Sequence, residues 1–137
     1  MLVSELLRRE PVKVSPLHSI AEASRVMVEN KVGSVLVVEG ERLVGIFTER
    51  DLLRAVAAGA PLDSPVQAFM SRNLITVSPR DTVYRAIELM TTHNIRHLPV
   101  VEGDKLVGVI SIRDVAEWIR RSMAERMAEA EMGHFVG

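Results

Sequence analysis

The chain has 137 residues, of which 47% are hydrophobic and 26% charged, and its formal net charge at pH 7 is −1. This composition is typical of a globular domain and gives no electrostatic reason to expect nucleic-acid binding. The chain contains no cysteine, which excludes disulfides, thiolate metal sites and a cysteine nucleophile and fits a cytoplasmic location. No apolar run approaches the roughly 18 residues that a membrane span requires, so we expect no contact with a membrane.

The first predicted element is a short strand, VKVS, which is followed by a proline and an amphipathic helix. Ser19 and Glu22 have the spacing of a capping box, which predicts the helix start. Apolar residues recur with helical periodicity and predict one buried stripe. The residues of this stripe are Ile20, Ala23, Met27 and Val28.

Two apolar runs follow, SVLVV and LVGIF, joined by the turn sequence EGER. Runs of β-branched residues around such a turn predict a buried β-hairpin. A second helix, DLLRAVAAG, is expected to end at Gly59. The proline-containing stretch 59–73 is predicted to be a linker.

The same order of elements then recurs at an offset of 63 residues. Residues 14–52 align without gaps on residues 77–115, and Asp81 is the candidate N-cap of the second copy's first helix. An offset of this length indicates a duplicated supersecondary unit. The prediction is an α/β (α+β) fold of two β-α-β-β-α repeats packed with pseudo-two-fold symmetry. We assign residues 1–58 to repeat 1, 59–73 to the linker, 74–120 to repeat 2 and 121–137 to a C-terminal helical extension.

The last predicted helix runs about two turns beyond its counterpart. Ile119, Met123 and Met127 form an apolar seam at i, i+4 and i+8. Two interpretations of this seam stay open. It either lies on the core of its own domain or serves as a surface for self-association or a partner, for which methionine is well suited.

Each repeat resembles a CBS motif (named after cystathionine β-synthase), and the pair resembles a Bateman module. The resemblance rests on VSP, on NKVGSVLVVEGERLVGIFTERDL and on HNIRHLPVVEGDKLVGVISIRDV, and it covers about residues 1–120. It implies two clefts between the repeats, each completed by the opposite repeat, of which one or both bind an adenosine ligand. It also implies a regulatory module that forms homodimers, rather than an enzyme.

By position, the resemblance assigns two sets of ligand-binding residues. Cleft one takes Ile46, Thr48, Arg50 and Asp51 from repeat 1 and Leu74, Ile75, Thr76, Ile95 and Arg96 from repeat 2. Cleft two takes Val109, Ser111, Arg113 and Asp114 from repeat 2 and Val12, Val32, Gly33 and Ser34 from repeat 1. Arg96 is placed near Gly33 across the centre, within reach of either ligand phosphate.

The residue types suit a nucleotide independently of the resemblance. An ionised aspartate accepts hydrogen bonds from both ribose hydroxyls, and a helix N-terminus attracts phosphate. The Thr/Ser-x-x-Asp pattern of Thr48–Asp51 and Ser111–Asp114 also resembles a helix cap, and the two roles are compatible. Because Ile112 replaces Glu49 and Leu36 replaces Pro99, we expect unequal affinities, with cleft one favoured.

The expected function is therefore that of an adenine-nucleotide sensor, with AMP as the leading ligand and ADP or ATP as further candidates. Its partners are expected to be the nucleotide, a second copy of the chain and an unidentified regulated protein. Two alternatives remain: a constitutive dimerisation or protein-interaction module with degenerate pockets, and an S-adenosylmethionine binder. We expect neither a catalytic cofactor nor a metal site, because the four histidines show no ligand spacing.

Overall fold

The computed structural model describes residues 1–7 and 10–136, with side chains described as far as Met132. Arg8, Arg9 and Gly137, which belong to the predicted repeat 1 and extension, lie outside the described residues. Two short 3-10 helices occupy Val3–Leu6 and Val66–Ala68. The strands and helices are β1 (Lys13–Val14), α1 (Ile20–Asn30), β2 (Ser34–Glu39), β3 (Arg42–Thr48), α2 (Glu49–Ala57), α3 (Val83–His93), β4 (His97–Glu102), β5 (Lys105–Ser111) and α4 (Ile112–Val136).

The strands form one five-stranded sheet in the order β1-β2-β3-β5-β4. Both predicted hairpins are confirmed as antiparallel pairs, β2 with β3 and β4 with β5. The hairpins join through a single residue pair, Arg42 with Lys105. The first strand of repeat 2 is reduced to a bridge between Val77 and Val100, so the two copies differ at this point. The predicted α+β fold with two related units is otherwise confirmed.

The helix caps confirm one expectation and correct another. The Ser19 side chain accepts a hydrogen bond from the Glu22 N–H and caps α1. In the second copy the cap of α3 is Thr82, not Asp81. The Asp81 carboxylate instead accepts from the backbone N–H of Ser78 and closes the preceding turn.

The stripe of α1 is narrower than the sequence suggested. Ile20, Ala23 and Met27 are buried against the hairpin, whereas Val28 is 77% exposed. The correction has a simple cause: the hairpin covers one side of the helix, and Met27 already fills the contact at that turn.

The segment that precedes each repeat packs in the core of the other repeat. Val3 and Leu6 lie in the core of repeat 2, and the backbone N–H of Val3 donates to Asp81 O at 2.8 Å. Conversely, Val66 and Met70 of the predicted linker lie in the core of repeat 1. Each core is therefore completed by a segment that precedes the first strand of the other repeat.

Helix α4 is continuous over 25 residues. Val115 is buried, and Trp118 packs against the core of repeat 2. Ile119, Met123 and Met127 are all exposed, so the seam does not lie on its own core. Of the two interpretations of the seam, only the outward-facing surface is compatible with the structure.

Candidate functional site

Each repeat ends its hairpin with a hydroxyl residue that caps the following helix. In repeat 2, the Ser111 N–H donates to Asp114 Oδ2 at 2.7 Å, and the Asp114 N–H donates to Ser111 Oγ at 3.2 Å. In repeat 1, Thr48 and Asp51 make the same reciprocal pair. The Thr/Ser-x-x-Asp pattern is therefore a helix cap in both copies, and this cap fixes where each carboxylate lies.

A cavity of about 930 Å³ lies between the repeats. Its volume falls in the range of small-molecule sites. It is lined by all eight residues assigned to cleft two. These are Val12, Val32, Gly33 and Ser34 from repeat 1 and Val109, Ser111, Arg113 and Asp114 from repeat 2.

The lining of cleft two offers groups of several kinds. Val12, Val32 and Val109 are partly buried aliphatic residues suited to the faces of a flat base. Asp114 is exposed, and Arg113 follows the cap at the start of α4. A carboxylate acceptor, a guanidinium donor and an apolar wall thus occur side by side.

Gly33, His97 and Glu49 all line this cavity and lie close together. A Cβ atom at Gly33 would lie 3.2 Å from His97 Nε2 and 3.3 Å from Glu49 Oε1. The glycine therefore leaves room for both side chains, and a Cβ at this position would require a neighbouring side chain to shift by a few tenths of an ångström. Gly33 and Glu49 flank the hairpin of repeat 1 and His97 begins the hairpin of repeat 2, so the two repeats come together at this point.

Burial lowers the pKa of His97 below its usual value. The carboxylates of Glu49 and Asp114 oppose this shift, while the guanidinium groups of Arg96 and Arg50 reinforce it. The imidazole is consequently held in its neutral form near pH 7, with charged groups of both signs around it.

Arg96 lines cleft two, although its assignment by position was to cleft one. Its backbone O accepts from the Ile112 N–H at 2.9 Å, at the first turn of α4. Arg96 and Gly33 both line this cavity, and Lys31 supplies a further positive charge there.

Cleft one is arranged differently around Asp51. This carboxylate is only 4% exposed. Ser71 Oγ donates to Oδ1 at 3.3 Å, Arg54 Nη1 lies 3.5 Å from the same oxygen, and Thr48 donates to Oδ2. Both carboxylate oxygens are therefore engaged within the chain, and a ribose would have to displace Ser71 to reach them.

The remaining residues of cleft one lie in separate surroundings. Ile46 is buried and exchanges backbone hydrogen bonds with Ser71. The Arg50 guanidinium donates to Asn94 O at 3.4 Å. Ile75 and Ile95 pack on the core of repeat 2, and Leu74 and Thr76 line another cavity beside the hairpin turns. These surroundings cover the aspartate of cleft one, so they give no support to the expected preference for this cleft.

The sequence argument missed several residues of cleft two, including Lys31, Glu49 and His97. It also missed the segment that covers Asp51. A signal for this segment was present, because Leu7 and Met70 are separated by the same 63 residues as the repeats. Leu7 lies against Gly108 and Met70 lies against Gly45, so extending the alignment toward the N-terminus would have found both.

The described part of the chain lacks two features. Within residues 1–7 and 10–136, no helix is long and apolar enough to cross a membrane. The same residues contain no group of three or more histidine, aspartate or glutamate side chains arranged to hold a metal ion.

Comparison with known proteins identifies the family. The model of the CBS domain matches residues 3–58 and 66–121. The CBS domain-containing protein YhcV of Bacillus subtilis is 36% identical over 115 residues, which is 83% of this chain and 82% of that protein. A CBS domain protein of Pyrobaculum aerophilum complexed with AMP is 41% identical, with a TM-score of 0.80 over 83% of this chain and 89% of the other.

A further solved structure carries a different adenosine ligand. The CBS domain pair of protein MJ0100, in complex with 5′-methylthioadenosine and S-adenosyl-L-methionine, is 26% identical and has a TM-score of 0.84. The match covers 89% of this chain and 98% of that chain. The same fold is thus found with nucleotide and with sulfur-containing nucleoside ligands. The chain belongs to the CBS-domain family and carries two CBS domains in tandem, the arrangement of a Bateman module.

Proposed function

We propose that the protein is a regulatory module that binds an adenine nucleotide in cleft two, with AMP as the leading ligand. The observation that carries this proposal is the single cavity lined by all eight residues of cleft two, drawn from both repeats. The similar Pyrobaculum aerophilum protein is complexed with AMP, which supports the choice among adenosine ligands. We place this activity in the cytoplasm, in keeping with the absence of cysteine.

The proposed contacts follow from the chemistry of the lining. The adenine lies between Val12, Val32 and Val109, where aliphatic contacts replace the scarce aromatic residues. The ribose hydroxyls donate to the Asp114 carboxylate, because an ionised carboxylate is purely an acceptor. The phosphate lies at the start of α4, where the helix dipole and Arg113 favour negative charge.

Regulation in this proposal is a matter of linkage rather than catalysis. Because the ligand contacts both repeats, it stabilises one relative arrangement of them over others. It shifts that equilibrium only by the difference between its affinities for the two arrangements. The output passes to a second copy of the chain or to a regulated protein that contacts the rearranged surface.

Calorimetric titration with AMP, ADP, ATP and S-adenosylmethionine tests this proposal. We expect AMP to bind with one site per chain, and at about 100-fold over its Kd to stabilise the protein by about 2.7 kcal/mol. Preferential binding of S-adenosylmethionine would contradict the choice of AMP as the ligand and would leave the proposed binding cleft unchanged. Absence of binding and of any thermal shift with all four compounds would contradict the proposal and favour a constitutive interaction module.

A further inference from the structure

Each repeat ends its first helix with a residue in the left-handed backbone conformation. Lys31 follows α1 with φ 55° and ψ 43°, and Asn94 follows α3 with φ 51° and ψ 48°. In both copies the backbone N–H of this residue donates to carbonyl groups of the last helical turn. Glycine and asparagine are the residues that this position favours. Asn94 therefore follows the local preference, and Lys31 departs from it.

The end of α1 gives no structural reason for a lysine. Backbone atoms alone close the helix, and Lys31 is exposed to solvent. Among the side chains that the structure describes, no carboxylate forms an ion pair with its amino group. Residues in disfavoured backbone conformations cluster at functional sites, which directs attention to the ligand cavity beside this residue.

Lys31 lines cleft two, and the residues after it lead toward the start of α4. Val32 lines the same cavity, and a Cβ at Gly33 would lie 3.2 Å from His97 Nε2. His97 is in turn the strand partner of Ser111, the residue that precedes α4. Gly33 lies at most about 7 Å along the chain from Lys31. The amino group, on its flexible four-carbon stem, can therefore reach the space between Gly33 and the start of α4.

The cavity as a whole carries no excess of positive charge. Its lining does not favour an anionic ligand by net charge, so discrimination depends on single cations near the ligand's 5′ group. At the equivalent position of repeat 2, Asn94 is uncharged, so the duplication supplies this cation to cleft two alone. The charged lining residues are the basic Lys31, Arg96 and Arg113 and the acidic Glu10, Glu49, Asp114 and Glu117.

We propose that Lys31 is a specificity-determining residue of cleft two, whose amino group pairs with the 5′ phosphate and selects AMP over adenosine ligands with a neutral or cationic 5′ group. The inference rests on the nucleotide site proposed for cleft two and adds the group that distinguishes the ligand's charge. A phosphate carries close to two negative charges at pH 7, whereas adenosine carries none and the sulfonium of S-adenosylmethionine is positive. Because Lys31 is exposed, added salt weakens this selection.

Calorimetric titration of AMP, adenosine and S-adenosylmethionine into the full chain and Lys31→Asn tests this role. At low ionic strength the variant is expected to lose about five- to tenfold in AMP affinity, to keep its affinity for adenosine and to bind S-adenosylmethionine at least as well as before. Its melting temperature should not fall, because asparagine favours the left-handed conformation. Unchanged AMP affinity, or equal losses for AMP and adenosine, would overturn the role while leaving the site in place. A wild-type chain that binds none of the three compounds would refute the site itself.

The second repeat provides a matched control for net charge. The double variant Lys31→Asn/Asn94→Lys keeps the total charge of the chain and exchanges the two residues between equivalent positions. It is expected to bind AMP as weakly as Lys31→Asn, whereas Lys31→Arg, which keeps a cation in cleft two, is expected to retain most of the wild-type preference for AMP over adenosine. Full recovery of AMP affinity in the double variant would show that net charge, rather than a cation at position 31, decides binding, and would overturn the proposal.

Discussion

Asp51 and Asp114 occupy the same place in two copies of one motif, yet their surroundings assign them different tasks. Both cap a helix with the preceding hydroxyl residue. Asp51 is also covered by Ser71 and paired with Arg54, while Asp114 is exposed beside the cavity. Identical side chains thus serve mainly stability in one repeat and, in our proposal, ligand binding in the other.

This difference predicts unequal stability effects at the two positions. Asp51→Asn places amide hydrogens against the donors of Thr48 and Ser71, so it is expected to lower the free energy of unfolding by about 1–3 kcal/mol. Asp114→Asn, at an exposed carboxylate, is expected to cost less than about 1 kcal/mol. Urea unfolding followed by circular dichroism measures both. Equal losses in the two variants would contradict the assigned roles.

The lowered pKa of His97 predicts a pH dependence of stability. Its cause is burial, so protonation is harder in the folded than in the unfolded chain. As pH falls below the ordinary histidine pKa, the unfolded chain binds the proton first, and stability is lost. We expect the free energy of unfolding to fall less between pH 7.5 and pH 5.5 in His97→Gln than in the wild-type chain. Parallel pH profiles for the two proteins would argue against a partly buried, neutral His97.

At the scale of elements, the packing of each core includes a strand glycine against which a side chain from another segment lies. A Cβ at Gly45 would lie 2.5 Å from Met70 Sδ and 2.9 Å from Met70 Cγ. Gly108 stands in the same relation to Leu7, whose Cδ2 would lie 2.7 Å away. Glycine at these points of β3 and β5 therefore leaves room for the Met70 and Leu7 side chains.

A double-mutant cycle checks this docking. Gly45→Ala is expected to destabilise the protein by about 1–3 kcal/mol through overpacking. Met70→Ala alone removes buried contacts and is also destabilising. In the double variant the added methyl group occupies part of the vacated space, so its loss should be smaller than the sum of the single losses. Simple additivity would mean that Gly45 and Met70 do not share this contact.

The sequence predicted local structure better than it predicted contacts between segments that are distant in the chain. Both hairpins, the Ser19 cap and the buried stripe from Ile20 to Met27 follow from period, turn and capping patterns that act over a few residues. The exposure of Val28 and the cover of Asp51 by Ser71 depend on which segment packs where. Hydrophobic periodicity does not predict such contacts between distant parts of the chain. The 63-residue offset between Leu7 and Met70 was the one sequence signal that pointed to these segments.

At the scale of the whole molecule, the exchanged segments make the two repeats interdependent. Val3 completes the core of repeat 2 and Val66 completes that of repeat 1. The sheet is also continuous across Arg42 and Lys105. Neither repeat retains a full core if the other unfolds. Because each repeat supplies residues to the core of the other, the packing also holds the walls of cleft two in place.

Calorimetric unfolding tests the interdependence. Val3→Ala and Val66→Ala each remove fully buried methyl groups and are expected to cost about 2 kcal/mol. Both variants should lower the temperature of one shared transition, since the repeats unfold together. Two resolved transitions, with each variant shifting only one of them, would show that the repeats are independent.

The central claim is that cleft two, rather than cleft one, binds an adenine nucleotide. Titration of AMP into the Asp114→Asn variant, with Asp51→Asn as the matched control, tests it most directly. We predict one AMP per wild-type chain, at least about a tenfold loss of affinity in Asp114→Asn and nearly unchanged affinity in folded Asp51→Asn. Loss of binding in Asp51→Asn, with retention in Asp114→Asn, would place the ligand in cleft one and contradict this account.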